Sequence, residues 1–97
     1  MSDNQHFSRA GVVISGKVQG VFFRLETQRE AQRCGGITGW VKNQRDGTVR
    51  AVFEGEEQKV EQMLAWCRQG PPESVVLHLD VSREAYTGEF DDFEIRY

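Results

Sequence analysis

The order of hydrophobic patterns along this 97-residue chain constrains its fold more than any other feature. Some segments are apolar, β-branched or alternating, as in strands, and others carry apolar side chains at helical spacing. Two of the strand-like segments flank a short polar link that ends in Asp46-Gly47, a typical hairpin signal. The predicted strands span residues 7–15, 37–43, 47–54, 75–82 and 93–97, and the first predicted helix spans residues 22–34. The second predicted helix follows Glu56-Glu57, which favour a helix start, and ends before Gly70-Pro71, with its apolar side chains at Val60, Met63, Leu64 and Cys67.

The resulting order is strand, helix, strand, strand, helix, strand, followed by one short strand. It predicts an α+β fold, the ferredoxin-like βαββαβ sandwich, with two helices on one face of an antiparallel sheet and a short extra C-terminal strand. A chain of this length forms one domain. We expect this domain over residues 7–97, after a flexible polar tail over residues 1–6.

Composition limits the function. Apolar residues make up 38% and charged residues 28% of the chain, which is globular, and the formal net charge of −3 gives no broad basic surface for nucleic acid. We therefore expect a local anion site for a small phosphate compound. Neither a signal pattern nor an apolar run of membrane-spanning length is present, so a cytoplasmic protein without a membrane partner is predicted. No apolar stripe calls for a partner, which favours a monomer.

Cysteines and histidines suggest no special chemistry. Cys34 and Cys67 are in no metal-ligand or redox spacing and fall on the apolar sides of the predicted helices, so we expect reduced core residues rather than a disulfide. His6 and His78 have no clustered thiols or carboxylates nearby in sequence. Metal binding is therefore not expected.

Residues 16–24 join the first strand to the first helix and have the composition of an anion-binding loop. Gly16 and Gly20 permit backbone angles that let successive N–H groups turn toward one point. The following helix adds its positive end, and Arg24 adds a planar fork of donors suited to phosphate oxygens. The alternative is structural: the glycines only make a tight turn, and the loop's apolar side chains are core residues, namely Val18, Val21, Phe22 and Phe23.

Asn43 closes the second predicted strand and is the second candidate. An amide can donate and accept hydrogen bonds at once, which is what holding an attacking water in line with phosphorus requires. Asparagine is also common in hairpin turns for its local hydrogen bonds. The sequence leaves both roles open.

Residues 16–24, together with residues 39–43, Gly47, Val49 and Gly55, resemble the two signatures of the acylphosphatase family. The resemblance implies a ferredoxin-like fold that hydrolyses small acyl phosphates to a carboxylate and inorganic phosphate, with no metal and no cofactor. Paired Gly35 and Gly36 make the link between the signatures one residue longer than the usual pattern.

The same resemblance implies roles for single residues. Arg24 would bind the phosphate, and Asn43 would orient the water. Gly16 and the hydroxyl of Thr27 would support the site. The backbone of the loop would cradle the phosphate through Gln19, Gly20, Val21, Phe22 and Phe23. Two alternatives share the fold: a non-catalytic sensor of phosphorylated metabolites, and an RNA-binding module, although the chain lacks the aromatic RNA-binding motif.

Overall fold

The computed structural model describes residues 6–97, which form five strands and two helices. Of the tail predicted over residues 1–6, only His6 is among them; residues 1–5 lie outside the described part. The His6 carbonyl accepts a hydrogen bond from the Glu57 N–H at 2.8 Å. The elements are β1 (Phe7–Lys17), α1 (Phe23–Cys34), β2 (Thr38–Asn43), β3 (Val49–Glu56), α2 (Glu57–Gln69), β4 (Val75–Glu84) and β5 (Phe93–Arg96).

The strands form one sheet in the order β4-β1-β3-β2-β5. β4, β1, β3 and β2 pair with one another in antiparallel fashion, as the ferredoxin-like prediction requires, and the predicted C-terminal strand is present. β5 differs in running parallel to β2, so the sheet is mixed. The cause is the connection over residues 85–92, which leads from the end of β4 at one edge of the sheet to the start of β5 at the other edge. β5 begins at that end of the sheet, where β2 also begins, so the two strands run in the same direction.

The predicted alternation of apolar side chains in β4 is interrupted by a bulge. Ser15 pairs with His78, but the next residue of β1, Gly16, pairs with Val76, so Leu77 is passed over. The side chains before the bulge therefore change faces. Val76 packs against the core, whereas the Leu77 side chain is 77% exposed. The apolar alternation in the sequence predicts that Leu77 faces inward and Val76 outward, and this prediction is wrong.

The core lies between the sheet and the two helices. Phe23, at the start of α1, makes an edge-on contact with Trp66 of α2, with ring centroids 5.7 Å apart. Both cysteines are free, as expected, and Cys67 is fully buried, where desolvation raises the pKa of its thiol. Cys34 is only half-buried and is thus at the edge of the core rather than inside it.

Buried charge was not anticipated from the sequence. The Glu54 carboxylate is fully buried and accepts hydrogen bonds from the Arg9 guanidinium at 3.0 Å and from the N–H groups of Thr87 and Gly88 at 2.9 and 3.0 Å. Burial by itself raises the pKa of Glu54, but these donors outweigh it, and the pKa is lowered from the ordinary value of 4.5. This cluster fastens the crossing connection to the sheet.

In the described part of the chain, neither helix is long and apolar enough to cross a membrane.

Candidate functional site

Sheet topology gathers the predicted site residues at one end of the molecule. β1 and β2 are both antiparallel to β3, which lies between them, so their C-terminal ends emerge on the same side. Val49 of β3 pairs with Ile14 of β1 and with Asn43 of β2. Because β5 is parallel to β2, the chain terminus at Tyr97 reaches this end as well.

A cavity of about 510 Å³ opens at this end. Arg24 and Asn43, which come from α1 and β2, both line it. The cavity therefore brings together the two residues for which the family resemblance implies phosphate binding and orientation of the water. Its other lining residues are Val18, Gly20, Phe22, Phe23, Leu25, Ile95 and Tyr97.

The backbone of the loop between β1 and α1 alternates in the sign of φ. Gly20 has a φ of 75°, and Phe22 is left-handed with φ 61° and ψ 26°. Val21 and Phe23 are not among the residues with positive φ, so the sign of φ alternates along this stretch. Such alternation turns successive N–H groups toward one concavity, here at the N-terminus of α1. A Cβ added at Gly20 would meet nothing within 4 Å, so glycine is needed there for its φ.

The alternative interpretation, in which the apolar side chains of the loop are core residues, is right for three side chains and wrong for one. Val18, Val21 and Phe23 are buried in the core, with relative exposures of 1%, 7% and 2%. The Phe22 side chain is 72% exposed. The loop is therefore anchored by apolar side chains and still keeps its backbone at the cavity.

Arg24 is held by the C-terminal end of the chain. Its Nη1 donates to the carbonyl of Arg96 at 3.4 Å, and its guanidinium carbon lies 4.8 Å from the centroid of the Tyr97 ring. The salt bridges of α1 involve other arginines, Arg29 and Arg33, and within residues 6–97 no carboxylate pairs with Arg24. Its positive charge is therefore available to an anion in the cavity.

The Asn43 amide is half-buried and makes no hydrogen bond to the hairpin turn in the described structure. The turn is closed instead by the Gln44 N–H, which donates to the Thr48 carbonyl at 2.8 Å, and by the Asp46 carboxylate, which accepts from the Thr48 N–H at 3.0 Å. The hydroxyl and N–H of Thr48 lower the pKa of Asp46. No contact thus supports the turn-capping role for Asn43.

The Gln19 side chain has a role that the sequence analysis missed. Its Nε2 donates to the carbonyls of Gln44 and Thr48 at 2.7 and 2.8 Å, which ties the loop after β1 to the turn after β2. This contact fixes the spacing between the cradle and Asn43. An amide in a loop has too many possible partners for a single sequence to reveal it.

Gly16 and Thr27 act from outside the cavity. A Cβ at Gly16, with φ 128°, would lie 2.1 Å from the Val75 carbonyl oxygen, so this glycine permits the close approach of β4 at the bulge. The Thr27 hydroxyl is fully buried and donates to the Phe23 carbonyl at 2.7 Å, within the first turns of α1. Both residues support the elements that carry the site.

Among residues 6–97, no group of three or more His, Cys, Asp or Glu side chains is placed to hold a metal ion.

Comparison with known proteins identifies close relatives. The family model described as acylphosphatase matches residues 10–95. Proteins named acylphosphatase from Syntrophus aciditrophicus and Pelotomaculum thermopropionicum are 54% and 51% identical to this chain, over 92% and 93% of it and over 92% and 97% of their own lengths. An acylphosphatase structure from Bacillus subtilis superimposes with a TM-score of 0.87 at 32% identity, covering 93% of this chain and 99% of that one.

Proposed function

Because the chain belongs to the acylphosphatase family, we propose that Arg24 and Asn43 form its catalytic site, where an acyl phosphate is hydrolysed to a carboxylate and inorganic phosphate. One observation carries the proposal: these two side chains, from separate elements, line the same cavity. The fold by itself would not suffice, since it serves many functions.

Arg24 and the loop backbone bind the phosphate. The N–H groups between Gln19 and Arg24 supply donors from the backbone, and the guanidinium supplies a planar pair with a full positive charge. Phosphoryl transfer spreads negative charge over three equatorial oxygens in its transition state, so fixed donors at these oxygens stabilise that state. Arg24 is suited to this role because its charge has no carboxylate partner among the described residues.

Asn43 orients the attacking water. Its amide has both an acceptor and a donor without an internal partner in the described structure, so it can fix a water molecule at the edge of the cavity. The water oxygen forms the new bond to phosphorus, while the bond between phosphorus and the acyl oxygen breaks and its electron pair leaves with the carboxylate. The proton of the water passes to an oxygen of the substrate's own phosphate.

This reaction needs no general acid. The leaving group is a carboxylate whose conjugate acid has a pKa of about 4, like that of a side-chain carboxyl group, so it departs without protonation. This explains why a site without Asp, Glu or His in its lining is adequate. Neither a metal nor a cofactor is part of the proposed mechanism, and a monomer is proposed as the active form.

The proposal is tested by following benzoyl phosphate hydrolysis by absorbance, with EDTA present and with inorganic phosphate as competitor. We expect Arg24→Ala and Asn43→Ala each to lower kcat by about a hundredfold or more, because losing one donor to a phosphoryl transition state typically costs that much. Arg24→Ala should also weaken inhibition by phosphate, whereas Asn43→Ala should leave this inhibition largely intact.

Arg29→Ala is the matched control, since Arg29 is an exposed arginine on the same helix that pairs with Glu26 at 3.2 Å. It should retain parental activity. If either site variant stays within about threefold of the parent, or if EDTA abolishes activity, the assignment is wrong.

A further inference from the structure

The cavity is larger than its phosphate site. An inorganic phosphate occupies on the order of 100 Å³, judged from the roughly 30 Å³ that one water molecule fills in the liquid. The cavity of about 510 Å³ therefore has room beside the phosphate for the acyl part of a substrate.

The lining of this additional space is apolar. Beyond Arg24, Asn43 and Gly20, the lining residues are all apolar or aromatic: Val18, Phe22, Phe23, Leu25, Ile95 and Tyr97. Arg24 has the single charged side chain among the lining residues, and the phosphate uses its charge. A second charge on the acyl group would lose water here without gaining a partner.

The exposed side chain of Phe22 is explained neither by the backbone geometry of the loop nor by the core. It is the one non-glycine residue with positive φ in residues 6–97, a conformation that bulky side chains rarely adopt. Its side chain is 72% exposed, so it adds little to the core. Another exposed phenylalanine, Phe7, packs against Tyr86 with ring centroids 5.3 Å apart, whereas Phe22 has no aromatic partner in the described structure. Strained, exposed residues of this kind are often functional.

Leu25 continues the same surface. It lies in the first turn of α1, three residues after Phe22. Leu25 is half-buried, and both residues border the cavity next to Arg24.

We propose that Phe22 and Leu25 are specificity-determining residues that select acyl phosphates with a bulky apolar acyl group, aromatic or branched aliphatic. This inference rests on the proposed function, because it concerns the part of the substrate that the phosphate site does not hold. Contact between the acyl group and the two side chains removes apolar surface from water and favours such substrates over small or charged ones.

The test compares kcat/KM for benzoyl phosphate and acetyl phosphate in the parent, Phe22→Asn and Leu25→Ala. Asparagine tolerates the left-handed backbone, so Phe22→Asn removes the ring while retaining the cradle conformation. We expect the benzoyl-to-acetyl ratio to fall about fivefold or more in Phe22→Asn and about twofold to threefold in Leu25→Ala. The different intrinsic reactivities of the two compounds cancel when each variant is compared with the parent.

The inhibition constant of inorganic phosphate separates acyl recognition from the cradle. It should change by less than about twofold in both variants, because Leu25 is not part of the cradle and Phe22 contributes only its backbone to it. Leu77→Ala, at an exposed leucine of β4 that is not part of the cavity lining, is the control and should keep the parental ratio.

An unchanged ratio in both variants, with both compounds hydrolysed, overturns the inference and leaves the proposed function standing. A loss of benzoyl phosphate turnover that is matched by weaker phosphate inhibition also overturns it, because Phe22 would then act only through the cradle. Hydrolysis of neither compound by the parent overturns the proposed function as well.

Discussion

The guanidinium carbon of Arg24 lies 4.8 Å from the centroid of the Tyr97 ring, and Nη1 of the same side chain donates to the Arg96 carbonyl at 3.4 Å. The last two residues of the chain thus restrain the arginine of the proposed site. Because Tyr97 is 91% exposed, its ring contributes little to the core and its main contact here is with Arg24.

Removing the Tyr97 ring should loosen Arg24. We expect Tyr97→Ala to lower kcat/KM for acetyl phosphate about twofold to fivefold, which corresponds to the 0.5–1 kcal/mol typical of an exposed cation–π contact. Acetyl phosphate is the chosen substrate because its small acyl group makes little use of the apolar wall. Tyr97→Phe should retain nearly all activity, and a loss in this variant equal to that in Tyr97→Ala would contradict a role for the ring.

Gln19 should couple the loop to the hairpin. Gln19→Glu replaces a donor with a carboxylate facing two carbonyl oxygens, those of Gln44 and Thr48. We expect a loss of about 2 kcal/mol in the free energy of unfolding, from the broken hydrogen bonds and the repulsion, and a tenfold or greater loss of kcat/KM. Urea unfolding and the benzoyl phosphate assay measure the two effects. Gln58→Glu, at an exposed position in the first turn of α2, should change neither.

The Glu54 cluster should make stability depend on pH. The pKa of Glu54 in the folded protein lies below the ordinary 4.5, so the native state binds fewer protons than the unfolded state near this pH. The stabilisation is present above about pH 4.5 and is lost as the pH falls through the lowered pKa. Urea unfolding at several pH values between about 7 and 3 should show this loss.

Glu54→Gln separates the contribution of Glu54 to the pH dependence of stability from that of the other carboxylates that titrate in acid. At pH 7 the variant should be less stable than the parent by about 2 kcal/mol, because a buried charged acceptor is removed from its donors. This difference should shrink as the pH falls below about 4.5. Glu94→Gln, at an exposed position, should stay within about 0.5 kcal/mol of the parent at every pH. Parallel pH profiles for the parent and Glu54→Gln would show that Glu54 is not responsible.

Gly16 should be required for the bulge between β1 and β4. A Cβ there would approach the Val75 carbonyl oxygen to 2.1 Å, so Gly16→Ala must push the two strands apart. We expect a loss of about 3 kcal/mol in the free energy of unfolding, as for other severe steric conflicts with the backbone. Gly47 also has a positive φ, 93°, but a Cβ there would meet nothing within 4 Å. Gly47→Ala should therefore lower the free energy of unfolding by only about 1 kcal/mol, from backbone strain. Equal losses would mean that φ alone matters at Gly16.

Most of the fold could be predicted because its signals are local. The helical spacing in α1 and α2 and the Asp46-Gly47 turn depend on a few neighbouring residues, and the element order then leaves few arrangements. Element ends were less accurate: β1 continues past Ser15 to Lys17, and β3 begins at Val49 because the Gly47 N–H donates to Gln44 within the turn. The bulge at Leu77 was missed because it depends on the pairing of β4 with β1 and not on β4 itself.

The sequence by itself determined the order of the elements, the fold class and the two family signatures that contain Arg24 and Asn43. The tertiary structure decided the contacts of the polar side chains: the chain terminus beside Arg24, the hairpin carbonyls bound by Gln19, and the partners of the buried Glu54. These contacts join residues 25 to 72 positions apart, so they depend on strand register and on the path of the connections. Periodicity reports which face of an element is apolar, but not which distant residue will lie against a polar side chain.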